Sequence, residues 1–133
     1  MKIKLLGISI LLILLGCSSN TIPKGFDEEQ LTNQAKLVIE FLHEAEYTKV
    51  IALMRSDVAS SLPVEMLKDA TEAKYAQVGT FEKYGQTVIT DTTDPKNSEV
   101  YAVVIIVGEY SDGKATYTIT FDKELACVGL YIK

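Results

Sequence analysis

Few side chains in this sequence are of the types that perform covalent chemistry or bind transition metals. The chain has two cysteines, Cys17 and Cys127, and one histidine, His43. One histidine excludes a paired-histidine metal site, and most of the chain separates the two cysteines. Any histidine-based acid-base pair would have to include His43, but a partly solvated residue on a helix is the commoner role. We therefore expect no catalytic residue, no metal and no cofactor.

The first residues of the chain have the composition of a secretory signal peptide. Lys2 and Lys4 precede an apolar run over residues 5–15. This run is too short for a stable membrane span, so the alternative of an amino-terminal transmembrane anchor is disfavoured. The pattern predicts export from the cytoplasm.

The end of this segment carries the one strong chemical motif. Leu14-Leu15-Gly16-Cys17 resembles the bacterial lipobox, in which the cysteine sulfur receives a diacylglycerol group and the cysteine becomes the new amino terminus. Gly16 is small enough to let a peptidase reach the bond that is cut. We expect residues 1–16 to be removed, with Leu14, Leu15 and Gly16 as the peptidase recognition site. Lipid on Cys17 would then hold the protein outside the cytoplasm, attached to the bacterial cell membrane.

The mature chain defined in this way is acidic. Loss of Lys2 and Lys4 leaves 11 basic against 18 acidic residues, a net charge of −7. This charge argues against binding to nucleic acid or to anionic lipid head groups. Acylation of Cys17 would also leave Cys127 without an intramolecular partner, and its apolar neighbours predict a buried, unreactive thiol.

The mature chain divides into a tether and one domain. Residues 17–26 are mostly small and polar and predict a flexible tether, whereas residues 27–133 have room for one hydrophobic core. Helical periodicity begins after Asp27, a candidate N-cap with Gln30 three residues later. The apolar residues of this first helix are Leu31, Ala35, Val38, Leu42 and Ala45.

Two more helices are expected before the period changes. A short second helix has apolar residues at Tyr47, Val50, Ile51 and Met54. Ser56 and Asp57 indicate a break after it, and Ser56, Ser60 and Ser61 are interpreted as helix caps. The third helix has Pro63 near its start and ends at Gly79, which suits a left-handed C-cap.

Beyond Gly79 the sequence has the two-residue period of strands. The expected strands are residues 84–92, 100–109, 115–122 and a last one with Val128, Leu130 and Ile132 facing inward. Ser111-Asp112-Gly113 predicts the hairpin turn between the second and third strands. The predicted fold is α+β, with three amino-terminal helices packed on a curved, four-stranded antiparallel sheet.

The second strand is apolar on both faces. Tyr101, Val103, Ile105 and Val107 alternate with Val100, Ala102, Val104 and Ile106. One reading is a central strand covered on both sides by its own chain. The others are a dimer interface through the sheet or a ligand cleft, because an uncovered apolar stripe favours association.

Several strings resemble the domain of unknown function family 3887 over residues 31–132. They are Phe41-Leu42-His43-Glu44-Ala45-Glu46-Tyr47 with Val50, Lys74-Tyr75-Ala76-Gln77-Val78-Gly79-Thr80-Phe81, Ile119-Thr120-Phe121-Asp122 and Val128-Gly129-Leu130-Tyr131-Ile132. The resemblance implies the nuclear transport factor 2-like, cone-shaped α+β superfamily and supplies no catalytic residues. Lys123 to Cys127 departs from the family's polar, glycine-containing last turn, which leaves the register of the last strand open.

Two functions are consistent with these patterns. The favoured one is a non-enzymatic binding or assembly module at the cell envelope, which recognises a small apolar ligand, a peptide or another envelope protein. The alternative is a small hydrolase, isomerase or dehydratase that uses His43 and a tyrosine in the cone cavity. Tyr75 is a further candidate for a cavity position. The residues expected at a ligand pocket or interface are Tyr84, Tyr101, Val104, Ile106 and Tyr117.

The acidic residues Asp91, Asp94 and Glu99 lie around a predicted turn. Weak extracellular calcium sites use carboxylates in such positions. A solvated turn is the commoner structure, so the sequence predicts no metal there.

Overall fold

The computed structural model describes residues 20–133, which form a helical half followed by a sheet. The helices are α1 (Glu28–His43), α2 (Tyr47–Ala52), α3 (Ser56–Ala59) and α4 (Val64–Val78). The strands are β1 (Phe81–Thr93), β2 (Val100–Tyr110), β3 (Gly113–Phe121) and β4 (Cys127–Ile132). The strands form one sheet in the order β1-β2-β3-β4, with each neighbouring pair antiparallel. The α+β prediction, with helices packed on a four-stranded antiparallel sheet, is confirmed.

The ends of the two long helices obey local rules. The Asp27 side chain accepts a hydrogen bond from the backbone N–H of Gln30 at 3.0 Å, so Asp27 is the N-cap of α1 as predicted. Gly79 ends α4 with a φ of +85°, a conformation that glycine adopts without a steric penalty. Ala45 lies beyond α1, is exposed and does not extend its buried face.

The region between the long helices differs from the prediction. Ser56 and Asp57 do not interrupt helical structure but open the one-turn helix α3. The Ser60 and Ser61 hydroxyls donate to carbonyl groups of α3, so they satisfy its carboxyl end and do not cap α4. Pro63 is the residue that precedes α4. A four-residue helix is too short to produce a hydrophobic period, and this is why the sequence did not reveal it.

The segment before α1 also differs from the expected tether. Thr21 donates its backbone N–H to the Ile89 carbonyl at 2.9 Å, and Ile89 donates to the Asn20 side chain at 3.0 Å. Ile22 and Phe26 pack against the core. Residues 20–26 therefore belong to the domain, since they cover part of the β1 edge. The predicted signal peptide and Cys17 lie outside the described residues.

The core lies between the helices and one face of the sheet. Alternate residues of β2 and β3 face it, namely Ala102, Val104, Ile106, Tyr110, Ala115, Tyr117, Ile119 and Phe121. Leu31, Ala35, Val38, Ile39 and Leu42 of α1 are buried on the helical side. The other face of β2 carries Val103, Ile105 and Val107, which are only partly buried.

The last strand resolves the question of register. Phe121 pairs with Cys127, whereas Thr120 pairs with Gly129, so Val128 occupies an irregularity in the ladder. Cys127 takes the core position and is fully buried, as expected for an inert thiol. Burial raises the pKa of this thiol to about 11. Leu130 and Ile132 face the core as predicted, but Val128 does not belong to it.

None of the helices within residues 20–133 combines the length and the apolar character needed to cross a bilayer. The long helices α1 and α4 each present one buried face to the sheet and leave the opposite face exposed.

Candidate functional site

Four aromatic side chains meet at one end of the domain, and each comes from a different element. His43 is the last residue of α1, and Tyr75 lies one turn before the end of α4. Tyr110 ends β2, and Tyr117 lies in the middle of β3. Because Tyr110 and Tyr117 are both on the core side of the sheet, the helix ends bring His43 and Tyr75 onto them. These four residues form the His-Tyr cluster.

The polar atoms of the His-Tyr cluster form one hydrogen-bonded chain. His43 Nε2 lies 2.6 Å from the Tyr110 hydroxyl, and the Tyr75 hydroxyl lies 2.7 Å from that of Tyr117. The Tyr110 and Tyr117 hydroxyls are also hydrogen-bonded to each other. Tyr117, which is fully buried, and Tyr110 each bond to two partners and form the inner part of the chain, whereas Tyr75 and His43 form its ends.

The number of protons fixes how this chain can be arranged. Each hydroxyl has one proton, so Tyr117 donates to one tyrosine and accepts from the other. If donation runs from Tyr75 through Tyr117 to Tyr110, then Tyr110 donates to an unprotonated His43 Nε2. If His43 carries its proton on Nε2, it donates to Tyr110, and Tyr110 can then donate to Tyr117, which donates to Tyr75. An unprotonated Nε2 thus fixes the direction of all three bonds, whereas a protonated Nε2 fixes only its own bond to Tyr110.

The surroundings keep the cluster uncharged near neutral pH. Burial lowers the pKa of His43, and the nearby Glu44 carboxylate only partly opposes this. Burial raises the pKa of Tyr75 and Tyr117 well above that of a free tyrosine, and it also raises the pKa of Tyr110. The neutral forms of the imidazole and phenols are favoured because a charged form would lose its hydration.

A pocket of about 310 Å³ opens beside the cluster. Its lining residues are His43, Tyr75, Gly79, Thr80, Phe81 and Tyr110. The Phe81 ring lies 4.5 Å from the His43 ring and 5.3 Å from the Tyr110 ring, centroid to centroid. The lining is therefore mainly aromatic and includes tyrosine hydroxyl and imidazole groups, and none of its residues carries a full charge on its side chain near neutral pH. Its volume lies at the small end of the range for ligand pockets.

The expected site residues divide between this pocket and the core. Tyr117 lies beneath the pocket, and Tyr84 packs edge-on against Phe81 with its centroid 4.9 Å away. Burial raises the pKa of Tyr84 to about 12. Val104 and Ile106 are fully buried between β2 and the helices, so a molecule in solution does not reach them. For these two residues the expected interface position is corrected: Val103, Ile105 and Val107 occupy the open face.

Tyr101 belongs to a different polar group at the other end of β2. Its hydroxyl donates to Glu99 at 3.0 Å and accepts from Arg55 at 3.3 Å. Arg55 also pairs with Asp57 at 2.8 Å and lies 3.6 Å from Asp122. This network closes the start of α3 onto the sheet, and its side chains satisfy one another. It is therefore a structural cluster and not part of the pocket.

The acidic turn after β1 is organised by hydrogen bonds within it. Asp94 accepts from the backbone N–H of Lys96 at 2.8 Å, and Glu99 is turned toward Arg55 at 3.4 Å. Asp91 is exposed. Within residues 20–133, no three His, Cys, Asp or Glu side chains come close enough together to hold a metal ion.

The sequence did not single out Tyr110 or Phe81. Tyr110 directly precedes the predicted Ser111-Asp112-Gly113 turn and lies one residue beyond the predicted strand. It nevertheless lies an even number of residues from Ile106, and Tyr117 lies two residues from Ile119. Residues separated in this way point to the same face of a strand, so alternation alone predicts that both tyrosines face the core. Phe81 comes after the helix C-cap in a segment without clear periodicity, and nothing in the sequence alone relates it to His43.

The position of His43 bears on both functional hypotheses. It faces the pocket and contacts a tyrosine hydroxyl, so the helix places it where an acid-base residue would have to lie. The partner that orients a catalytic histidine is commonly a carboxylate. In the described part of the chain, the hydrogen-bond partner of His43 is Tyr110.

Comparison with known proteins places this architecture in a family. Residues 35–130, more than half of the chain, match the family described as "Protein of unknown function (DUF3887)". An NMR structure of a protein from Ruminococcus gnavus ATCC 29149 is similar, with a TM-score of 0.73 and 26% sequence identity, over 84% of this chain and 96% of that chain. No curated protein matches. From the extent of the family match, the chain belongs to the DUF3887 family.

Proposed function

We propose that this protein is an extracytoplasmic lipoprotein whose domain binds a small, uncharged, partly aromatic ligand in the pocket of the His-Tyr cluster. In this proposal the domain is a binding module and not an enzyme. The lipid anchor is Cys17, and residues 1–16 are the signal peptide. The observation that carries the ligand proposal is the lining of the pocket.

The residues that line the pocket favour one class of ligand in two ways. Rings of His43, Tyr75, Phe81 and Tyr110 offer flat apolar surfaces against which another ring can stack. Beyond the bonds of the cluster, His43 keeps its Nδ1 atom and the Tyr110 hydroxyl keeps one lone pair. Both can hydrogen-bond a ligand without a full charge, because burial favours their neutral forms. A charged ligand would lose hydration without gaining an opposite charge. A ring with one hydroxyl or N–H group fits these conditions.

Phenol and indole are suitable probes because each is uncharged and has one ring system with one polar group. We expect both to bind the detergent-solubilised full-length protein in ligand-observed NMR, and benzoate and benzylammonium to bind at least tenfold more weakly. Tyr110→Phe keeps the ring and removes the hydroxyl, and it should weaken phenol binding severalfold. Tyr131→Phe, at a residue that is 62% exposed and outside the pocket lining, is the matched control. Equal binding of charged and uncharged probes would contradict the proposal.

The open face of the sheet supports a role in assembly. Val88, Val103, Ile105 and Val107 lie on this face together with threonines, and the Val88, Ile105, Thr118 and Tyr131 positions form a row across all four strands. A partly exposed surface whose central row has no charged side chain suits an envelope protein or a second copy. Ile105→Glu should reduce retention of envelope proteins by the purified protein, whereas the exposed Thr93→Glu should not.

The proposed attachment to the membrane is tested by replacement of the Cys17 thiol. Cys17→Ser removes the sulfur that would form the thioether, so we expect the variant to lose incorporation of a clickable palmitate analogue and to keep its signal peptide. Cys127→Ser is the control, because the Cys127 thiol is buried. Label that persists on Cys17→Ser would exclude this residue as the acylation site.

The enzymatic alternative has one specific point in its favour, the contact of His43 with the Tyr110 hydroxyl in a pocket. A hydrolase, isomerase or dehydratase would need His43 to exchange a proton with its substrate. His43→Gln would abolish turnover of such an enzyme but would only weaken phenol binding in the favoured proposal. Turnover lost together with His43 would decide for the alternative.

We also infer that the domain is of the nuclear transport factor 2-like, cone-shaped type. In support, register shifts interrupt β1 between Phe81 and Lys83 and between Tyr84 and Thr87. Such irregularities bend a sheet, and a bent sheet leaves space at its end for the pocket. Superposition on experimentally determined members of that superfamily, with helices and strands matched in the same order, is the test.

A further inference from the structure

The two edges of the sheet are protected to different degrees. Asn20 and Thr21 hydrogen-bond to Ile89 of β1, and two register shifts interrupt that strand. Both features block pairing with another strand. At the other edge, the segment from Leu53 to Arg55 covers β4 at Cys127, through the bonds Cys127 N–H to Leu53 O and Arg55 N–H to Cys127 O, each 2.9 Å. Beyond that point β4 continues to Ile132.

The backbone groups of Leu130 and Ile132 point away from the sheet. Thr116 and Lys133 exchange both backbone hydrogen bonds at 2.9 Å, which identifies them as a hydrogen-bonded antiparallel pair. Since such pairs alternate with non-hydrogen-bonded ones, Leu130 and Ile132 direct their N–H and C=O groups outward. Within residues 20–133, no group hydrogen-bonds to these outward atoms. The free edge therefore offers two donors and two acceptors.

An apolar groove of about 240 Å³ adjoins this edge. Its lining residues are Leu62, Met66, Leu67, Ala70, Leu130, Tyr131 and Ile132. Met66 is 59% exposed and Tyr131 is 62% exposed, unusually high fractions for large apolar side chains. With Val64, on the same helix as Met66, they are the exposed large hydrophobic residues of the described part of the chain. The apolar surface is thus concentrated where the strand edge is open.

We propose that two copies of this chain pair through the free edges of β4, in antiparallel orientation about a two-fold axis beside Tyr131. Leu130 of each copy would then lie opposite Ile132 of the other. Both pairs use the outward backbone groups, so the pairing makes four hydrogen bonds. A second copy fits because β4 itself has the required pattern, with two apolar residues spaced by one.

This arrangement also accounts for the exposed side chain of Tyr131. On the axis, Tyr131 lies opposite the same residue of the other copy, and cross-strand aromatic pairs stabilise sheets. Leu130 and Ile132 of the second copy would extend the apolar surface beside the groove. Lys133 would lie opposite Gly129, so no two like charges meet across the strands. Because two-fold pairing uses the β4 edge of both copies, no β4 edge remains free to bind a third copy.

The position of the axis gives a direct test. Full-length Tyr131→Cys, produced in bacteria and treated with copper phenanthroline in isolated membranes, should form a disulfide-linked dimer, because directly opposed non-hydrogen-bonded residues have Cα atoms about 4.5 Å apart. Lys114→Cys, exposed on β3, should give at least tenfold less dimer. The wild-type protein reports any cross-linking through its own cysteines.

A matched pair of substitutions tests the strand edge itself. Ile132→Pro removes an outward N–H that makes no bond to β3, whereas Ile132→Ala removes most of the side chain and keeps that N–H. In the Tyr131→Cys background, we expect the proline variant to reduce cross-linking at least fivefold relative to the alanine variant. Circular dichroism would confirm that both remain folded. Equal cross-linking of these two variants, similar yields from Tyr131→Cys and Lys114→Cys, or a cross-link from Tyr131→Cys to a different protein would each overturn the proposal.

Discussion

Replacement of Tyr117 by phenylalanine is the sharpest test of the hydrogen-bonded His-Tyr cluster. Tyr117 is fully buried, and its hydroxyl is bonded to the hydroxyls of Tyr75 and Tyr110. The substitution keeps the ring and its packing, so the change in stability measures the hydroxyl. Two hydrogen bonds are lost, each worth roughly 1 kcal/mol net. Tyr110 retains His43 as a partner, whereas Tyr75 is left without Tyr117.

We therefore expect Tyr117→Phe to lower the free energy of unfolding by about 2 kcal/mol. Urea denaturation monitored by circular dichroism measures this value, and an unchanged slope would show that the unfolded state is comparable. The control is Tyr131→Phe, in which an exposed hydroxyl is removed and stability should change by less than about 0.5 kcal/mol. If Tyr117→Phe were as stable as this control, the bonded chain would not contribute to the fold.

A double-mutant cycle separates the two bonds of Tyr117. Tyr75→Phe removes the hydroxyl that Tyr117→Phe leaves without its partner. The double variant should therefore cost less than the sum of the two single changes, by about 1 kcal/mol. Strict additivity would mean that the two hydroxyls, 2.7 Å apart, do not interact in solution.

Three further predictions concern single residues. Burial lowers the pKa of His43, so the stability that neutral His43 contributes is fully present above the unfolded-state pKa near 6.5 and is lost as the pH falls through the lower folded-state pKa. In urea titrations from pH 7 to pH 5, the wild type should therefore lose stability relative to His43→Gln. A difference that stays constant over this pH range would contradict the prediction. Gly79 has a φ of +85°, and a Cβ added there would collide with the Ser111 hydroxyl and lie 2.7 Å from Asp112 Oδ2. Gly79→Ala should therefore lower the free energy of unfolding by more than about 1 kcal/mol in the same assay. An unchanged free energy would contradict this description of the turn. The Thr71 hydroxyl is fully buried and has no hydrogen-bond partner within residues 20–133. Thr71→Val should therefore raise the free energy of unfolding by about 1 kcal/mol. A lower free energy of unfolding would indicate that the hydroxyl has a partner outside the described fold.

The parts of the fold that obey local rules could be predicted from the sequence. Asp27 caps α1 because its carboxylate accepts from a backbone N–H three residues later, a contact set by spacing alone. Strict alternation likewise revealed β3. The tether predicted over residues 17–26 does not hold for residues 20–26, because the polar composition of this segment hides Ile22 and Phe26, which pack against the core beside the distant strand β1.

The candidate site could be predicted only in part. Tyr75 and Tyr117 were expected at a cavity, and they do lie together. Val104 and Ile106 could not be told from Val103 and Ile105, because both faces of β2 are apolar and alternation does not say which face the helices cover. That choice is made by packing against α1 and α4, which depends on long-range contacts.

A lipid anchor at Cys17 and pairing through β4 would together constrain the orientation of the protein at the membrane. The described chain enters at the β1 edge, where Thr21 is bonded to Ile89, and the proposed pairing uses the β4 edge on the far side of the sheet. Asn20 and Thr21 of the two copies therefore lie at the two outer edges of the pair and do not obstruct the contact. The two-fold axis of edge-to-edge antiparallel strands is perpendicular to the sheet. If both copies are anchored through Cys17, their two lipids are equivalent with respect to one bilayer when that axis is parallel to the membrane normal, so we expect the joined sheet to lie flat along the membrane surface.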